Sequence, residues 1–191
     1  ERLFSNLTLF YSNYDYKISF GDESTNRFDW DAKIINYSVK PEFTFYVSPK
    51  NILRFGGQGI IYEFEPGNAV GVSEGESSDL SLDKQYGIEA AAYVENELSL
   101  GDKIRLNYGL RLSHFNYTGE GNAYEFSDAP AGTRKPVISS EAFDQWESIQ
   151  TYTKLEPRFA LKYQLGETNS LKASYMRTAQ YIHLVSNTTA S

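Results

Sequence analysis

The sequence predicts an all-β protein: an antiparallel transmembrane β-barrel, present here as an incomplete segment of about seven long strands. Three observations predict it. First, from Ile35 to Val47 every odd position is apolar (Ile35, Tyr37, Val39, Pro41, Phe43, Phe45, Val47), and the residues between them, Asn36, Ser38, Lys40, Glu42, Thr44 and Tyr46, are nearly all polar. A period of two makes a strand with one apolar and one wet face. At about 3.3 Å per residue and a tilt of about 45°, this stretch rises roughly 28 Å along a membrane normal, close to the ~25 Å apolar band of a spanning barrel. Second, connections alternate between short (48–51, 101–103, 166–169) and long (21–28, 66–83, 118–150). Short turns on one side and long loops on the other distinguish the periplasmic from the extracellular face of such barrels. Third, the predicted strand number is odd, whereas whole bacterial barrels use an even number, so a segment is expected.

Each strand rests on its own pattern. Residues 3–20 alternate through Leu7, Leu9 and Tyr11, then take the other parity at Tyr14, Tyr16, Ile18 and Phe20. That switch fits a bulge or the point where the strand leaves the membrane. The organising strand, 29–47, ends in the Ser48-Pro49-Lys50-Asn51 turn. Residues 52–65 carry Leu53, Phe55 and Ile61, with Gly56, Gly57 and Gly59 implying a bulge or a close backbone approach. The Gly/Ser-rich, acidic stretch 66–83 predicts a long outer loop. Residues 84–100 set Tyr86, Ile88, Ala90, Ala92 and Val94 against Glu89, Tyr93, Glu95 and Glu97. Residues 103–117 set Ile104, Leu106, Tyr108, Leu110 and Leu112 against Arg105, Asn107, Gly109, Arg111 and Ser113. After a second long loop, 118–150, strands are expected at 151–165 and 170–184.

Composition agrees. Tyr (15) outnumbers Phe (12), which suits interfacial girdles, since tyrosine joins an apolar body to a polar tip. Mean hydropathy is -0.49, as expected when lipid-facing and lumen-facing residues alternate. With no cysteine, disulfides and thiolate metal sites are excluded. A net charge of -7 argues against nucleic acid as a partner.

Within 90–117, Tyr93-Val94-Glu95-Asn96, a tight turn, and then Asn107-Tyr108-Gly109-Leu110-Arg111 resemble the barrel of TonB-dependent outer-membrane receptors. Within 155–187, Glu156-Pro157-Arg158 followed by Tyr175-x-Arg177-x-x-Gln180-Tyr181 is similar to the Bacteroidetes-type members. The resemblance implies a transporter in the bacterial outer membrane that binds and imports a scarce solute: a siderophore, cobalamin, a glycan or a peptide. It implies partners too: the TonB–ExbB–ExbD complex through an N-terminal part outside this sequence, outer-membrane lipids, the small-molecule, glycan or peptide ligand, and a surface lipoprotein above the barrel. Neither the plug domain nor a TonB-box segment is found in this sequence.

Candidate sites follow from placement. In the longest loop Tyr124, Phe126 and Trp146 can stack on a ligand or pack the loop on itself. Arg105, Arg111, Arg158 and Lys162 share the wet face with Glu95 and Glu97, and are expected to face the lumen, pairing there with those acids and with a plug. The long loops are acidic: Glu74, Glu76, Asp79 and Asp83 have no base beside them, and six acids in 118–150 meet only Arg134 and Lys135. A solvated face explains this more simply than capture of cations. His114 and His183 lie on separate strands without further ligands, so no metal or other cofactor is expected. Ser113 and His114 are adjacent on a strand and point to opposite faces, and no nucleophile elbow or HExxH motif is present, so no enzyme is expected. Two readings compete: a soluble or surface-attached β-sandwich binding module, and a passive porin. Lipid exposure of Ile35, Val39, Phe43 and Leu106 separates the first from a barrel, and Ile35→Arg at mid-membrane is expected to cost about 2–4 kcal/mol.

Overall fold

The computed structural model describes residues 2–22, 26–73, 76–128, 130, 132–133 and 135–182. In chain order the strands are β1 (Leu3–Asp22), β2 (Asn26–Ser48), β3 (Asn51–Ser73), β4 (Glu76–Ser81), β5 (Gln85–Leu100), β6 (Ile104–Thr118), β7 (Gly121–Phe126), β8 (Val137–Phe143), β9 (Ser148–Gln164) and β10 (Ser170–Met176). Seven of them form one antiparallel wall in the order β1-β2-β3-β5-β6-β9-β10, β4 pairs with β3, and β7 and β8 form a hairpin of their own. No helix is found among the described residues, and β1 and β10 each have a neighbour on one side only. This is an incomplete barrel wall, as the sequence predicts.

Register explains how the wall acquires two faces. Phe43 lies opposite Phe55, Phe55 opposite Val94, and Val94 opposite Leu110. Leu106 lies between Leu98 and Leu161, and Leu112 opposite Leu155. One face is therefore apolar from strand to strand, and its side chains stand about half exposed, Leu110 at 49% and Leu112 at 52%. A soluble protein buries such a surface, so this face is the one turned to lipid. Ile35 sits at the edge of the band rather than its middle, because its cross-strand neighbours are Asn13 and Glu63.

Four elements depart from expectation. β1 pairs with β2 without a register shift from Leu3↔Phe45 to Asp22↔Asn26, so its change of parity marks emergence from the band, not a bulge. The stretch 66–83 is not simply a loop. β3 continues to Ser73 and β4 folds back on it, from Asn68↔Ser81 to Ser73↔Glu76. Gly67, Gly71 and the serines hide the strand pattern there: Val70 and Val72 share one face and Leu80, opposite Ala69, takes the other, so neither face above the membrane is apolar throughout. Within 118–150, β7 and β8 pair from Gly121↔Phe143 to Phe126↔Val137. The last wall strand stops at Met176, not 184. Arg177 donates its N–H to the Pro157 carbonyl at 3.1 Å, and proline has no N–H to return. Glu74, Arg134 and His183, and the end of that expected strand, lie outside the described residues.

The glycine cluster in β3 is a close approach. A Cβ on Gly56 would strike the Pro41 carbonyl oxygen, and the β2–β3 ladder keeps its register across Pro41 while omitting the pairs there. Gly109 is equally confined, since a Cβ would stand 2.6 Å from the Val94 carbonyl oxygen and 3.0 Å from the Glu95 Cα. Gly109→Val is therefore expected to destabilise the wall by about 1–3 kcal/mol through overpacking. A urea titration of the refolded barrel should show the lowered midpoint; an unchanged midpoint would mean the backbone yields freely.

Candidate functional site: inner wall and outer rim

Opposite the lipid face, alternation places most of the charged strand residues on one surface, the lumen side of a barrel. There the side chains pair laterally. Lys40 meets Glu42 at 2.9 Å, and the Tyr93 hydroxyl donates to Glu42 at 3.0 Å. Arg54 reaches Glu97 at 3.1 Å and Glu95 at 3.9 Å, and Arg105 reaches Glu97 at 3.8 Å. Arg111 donates to Gln58 at 2.9 Å and stands 3.7 Å from Glu89 and 3.8 Å from Glu156. Tyr62 donates to Glu89 at 3.2 Å.

The most enclosed part of this surface is centred on Glu156. Its residue is 4% exposed and Ser113 is 1% exposed, and the Ser113 hydroxyl donates to the carboxylate at 2.5 Å. The chain beyond β10 crosses back over β9 so that the Tyr181 hydroxyl lies 2.7 Å from Ser113 Oγ and donates to the Ser113 carbonyl at 3.2 Å. The Tyr181 ring stacks on Phe115, with centroids 5.3 Å apart and planes 11° apart. Phe115 fits because Gly87, across the ladder, has no Cβ to meet its ring.

The predicted lumen residues thus divide. Glu95, Glu97, Arg105 and Arg111 join the paired surface, but the principal partner of Glu95 and Glu97 is Arg54, and Arg111 takes Glu89 and Glu156 instead. Arg158 and Lys162 share the face without an ion pair among the described residues, and the Arg158 Nε is buried with no acceptor. The same parity places Arg54, Glu42, Glu89 and Glu156 on this face, and register decides which partner each meets. Ser113 and His114 do diverge: His114 Nδ1 lies 2.8 Å from Thr153 Oγ1 on the outer face. No group of three or more His, Asp or Glu able to hold a metal occurs among the described residues.

The outer rim is built by β7, β8 and the chain around them. Tyr124 and Phe126 share one face of the hairpin, with ring centroids 6.5 Å apart, and both are more than half exposed. Trp146 is held elsewhere. It adopts φ 67, a region seldom used by bulky residues, and its ring packs on Tyr86 at 5.2 Å. Its backbone N–H donates to the Gly119 carbonyl at 2.9 Å, so Trp146 fastens the base of the hairpin to the rim. Beside it lies a cleft of about 440 Å3 lined by Asp83, Lys84, Tyr86, Glu120, Asn122 and Phe143 among others. The hydrogen bonds it donates to Glu65 and then to Glu63 hold the Lys84 ammonium above its ordinary pKa, fixing it on the cleft wall at 2.7 and 3.3 Å from those carboxylates.

The family described as TonB dependent receptor-like, beta-barrel matches residues 2–181. No curated protein and no solved structure matches the chain.

Proposed function

Because this chain belongs to the TonB-dependent receptor-like β-barrel family, whose members are outer-membrane transporters and not enzymes, we propose that it supplies wall and outer loops to a transporter that imports a scarce solute. The solute is a siderophore, cobalamin, a glycan or a peptide, captured at the rim by Tyr124 and Phe126 and passed along the lumen face of Arg105, Arg111, Arg158, Lys162, Glu95 and Glu97. Uptake draws on the TonB–ExbB–ExbD complex, and a surface lipoprotein closes over the rim. The Glu156-Pro157-Arg158 and Tyr175-x-Arg177-x-x-Gln180-Tyr181 patterns support a place among the Bacteroidetes-type members.

The observation that carries this reading is the two-faced wall: apolar across all seven strands outside, ion-paired inside. A β-sandwich would bury the apolar face against a second sheet. A passive porin shares the wall, and uptake energetics separate it. In cells carrying the full-length protein, deleting 122–142 is expected to abolish saturable uptake while the barrel still assembles, and loss of TonB should have the same effect. Solute flux that persists at the same rate without TonB would make the protein a passive pore.

A further inference from the structure

Near the short-turn end of the inner face three cations stand in a row. Arg105 is directly opposite Lys162, and Lys162 is directly opposite Lys172. Like charges placed directly opposite each other destabilise the pair. Elsewhere on this face Arg54 and Arg111 are met by carboxylates. Here the nearest one is Glu97, 3.8 Å from Arg105 and already held by Arg54 at 3.1 Å. Lys162 and Lys172 have no ion-pair partner among the described residues.

The surface between the cations is low. Ala160 lies opposite Asn107 on one side and Ser174 on the other, so small side chains floor the space directly above the row. Its far side is Arg158, which lies across from Gly109, a position with no side chain, and whose buried Nε lacks an acceptor. Four positive groups therefore border a shallow floor, and three of them, Arg105, Lys162 and Lys172, are exposed.

We propose that Arg105, Arg158, Lys162 and Lys172 form a binding site for a small polyanion carrying two or more carboxylate or phosphate groups. Such a ligand relieves the lateral repulsion, and each of its charged oxygens accepts a charge-assisted hydrogen bond. The site lies below the Arg111–Glu156 cluster and toward the turns at 101–103 and 165–169, so it serves the inner end of a solute path. This inference rests on the assignment of that face to the lumen.

The test uses the full-length protein, extracted from the outer membrane into detergent and titrated calorimetrically at low salt with tricarballylate, with inorganic pyrophosphate, and with acetate as a monoanion. Tricarballylate or pyrophosphate should bind and acetate should not, and the stronger of the two distinguishes carboxylate from phosphate recognition. The double variant Lys162→Gln/Lys172→Gln should weaken binding about tenfold, and added salt should weaken it further. Lys154→Gln, on the same face outside the site, should bind as the parent does. Equal affinity in the double variant overturns the proposal. Absence of heat with either polyanion also overturns it, and points to an acidic polypeptide segment seated on the cations instead. Heat-modifiable migration of each variant reports the barrel separately, so a failed barrel counts against the transporter reading and a failed titration against the anion site.

Discussion

Leu110→Arg is expected to block assembly of the barrel. Leu110 has Tyr108 and Leu112 on the same face of its own strand, Val94 on one neighbouring strand and Pro157 on the other, so its directly opposed neighbours on the outer surface are apolar. An arginine at the membrane midplane costs about 2–4 kcal/mol, and the same residue near an interface costs about 0–1 kcal/mol. Ile35→Arg, beside Asn13 and Glu63, belongs to the second case and should assemble with little loss. The pair of variants is thus its own control. Heat-modifiable mobility in the outer-membrane fraction reads both, and a normal yield of folded Leu110→Arg would sink the assignment of that face to lipid.

The second large effect is inside. Arg111 has a side chain 15% exposed, between Glu89 at 17% and Glu156 at 5%. Arg111→Met leaves two enclosed carboxylates without their shared cation, and breaking an enclosed pair in this way costs about 3–5 kcal/mol. Neutralising one of those acids as well, in Arg111→Met/Glu156→Gln, should recover part of the loss, because the residues form one network. Urea midpoints of Arg111→Met, Glu156→Gln and the double variant together measure the coupling. If the double variant is as unstable as the sum of its parts, Arg111 is not the counter-ion of Glu156.

The wall was legible because its residues obey a single rule over long distances. In β6, alternation of Ile104 to Leu112 against Arg105 to Ser113 assigns each residue to a face with no knowledge of neighbours. Which acid meets which base was not legible. Arg111 reaches Glu156 only because β9 aligns Glu156 with it, and sequence spacing carries no trace of that alignment. The elements above the membrane were harder still. β4 and the hairpin β7–β8 are held by backbone hydrogen bonds in water, so valine and leucine alternate there with glycine and serine, a composition shared with loops. Trp146 fell between two outcomes at the sequence level, ligand stacking or packing of the loop on itself. The fold gives it Tyr86 as a neighbour, on a strand sixty residues away in the chain.

The register slip between β2 and β3, where Asp31↔Asn68 gives way to Lys33↔Glu65, bears on how such a chain can change over generations. Below the slip the β2–β3 register is constant from Lys33↔Glu65 to Tyr46↔Ile52, so a one-residue deletion there would turn every following side chain to the wrong face, greasy toward the pore and charged toward the bilayer. At the slip β3 accommodates one residue more than β2, and above it both sides meet water. Length variation is therefore lethal in the lower half of a strand and nearly neutral in the upper half of the same strand. Descendants of this sequence can acquire new rims by insertion and deletion while inheriting an unaltered wall.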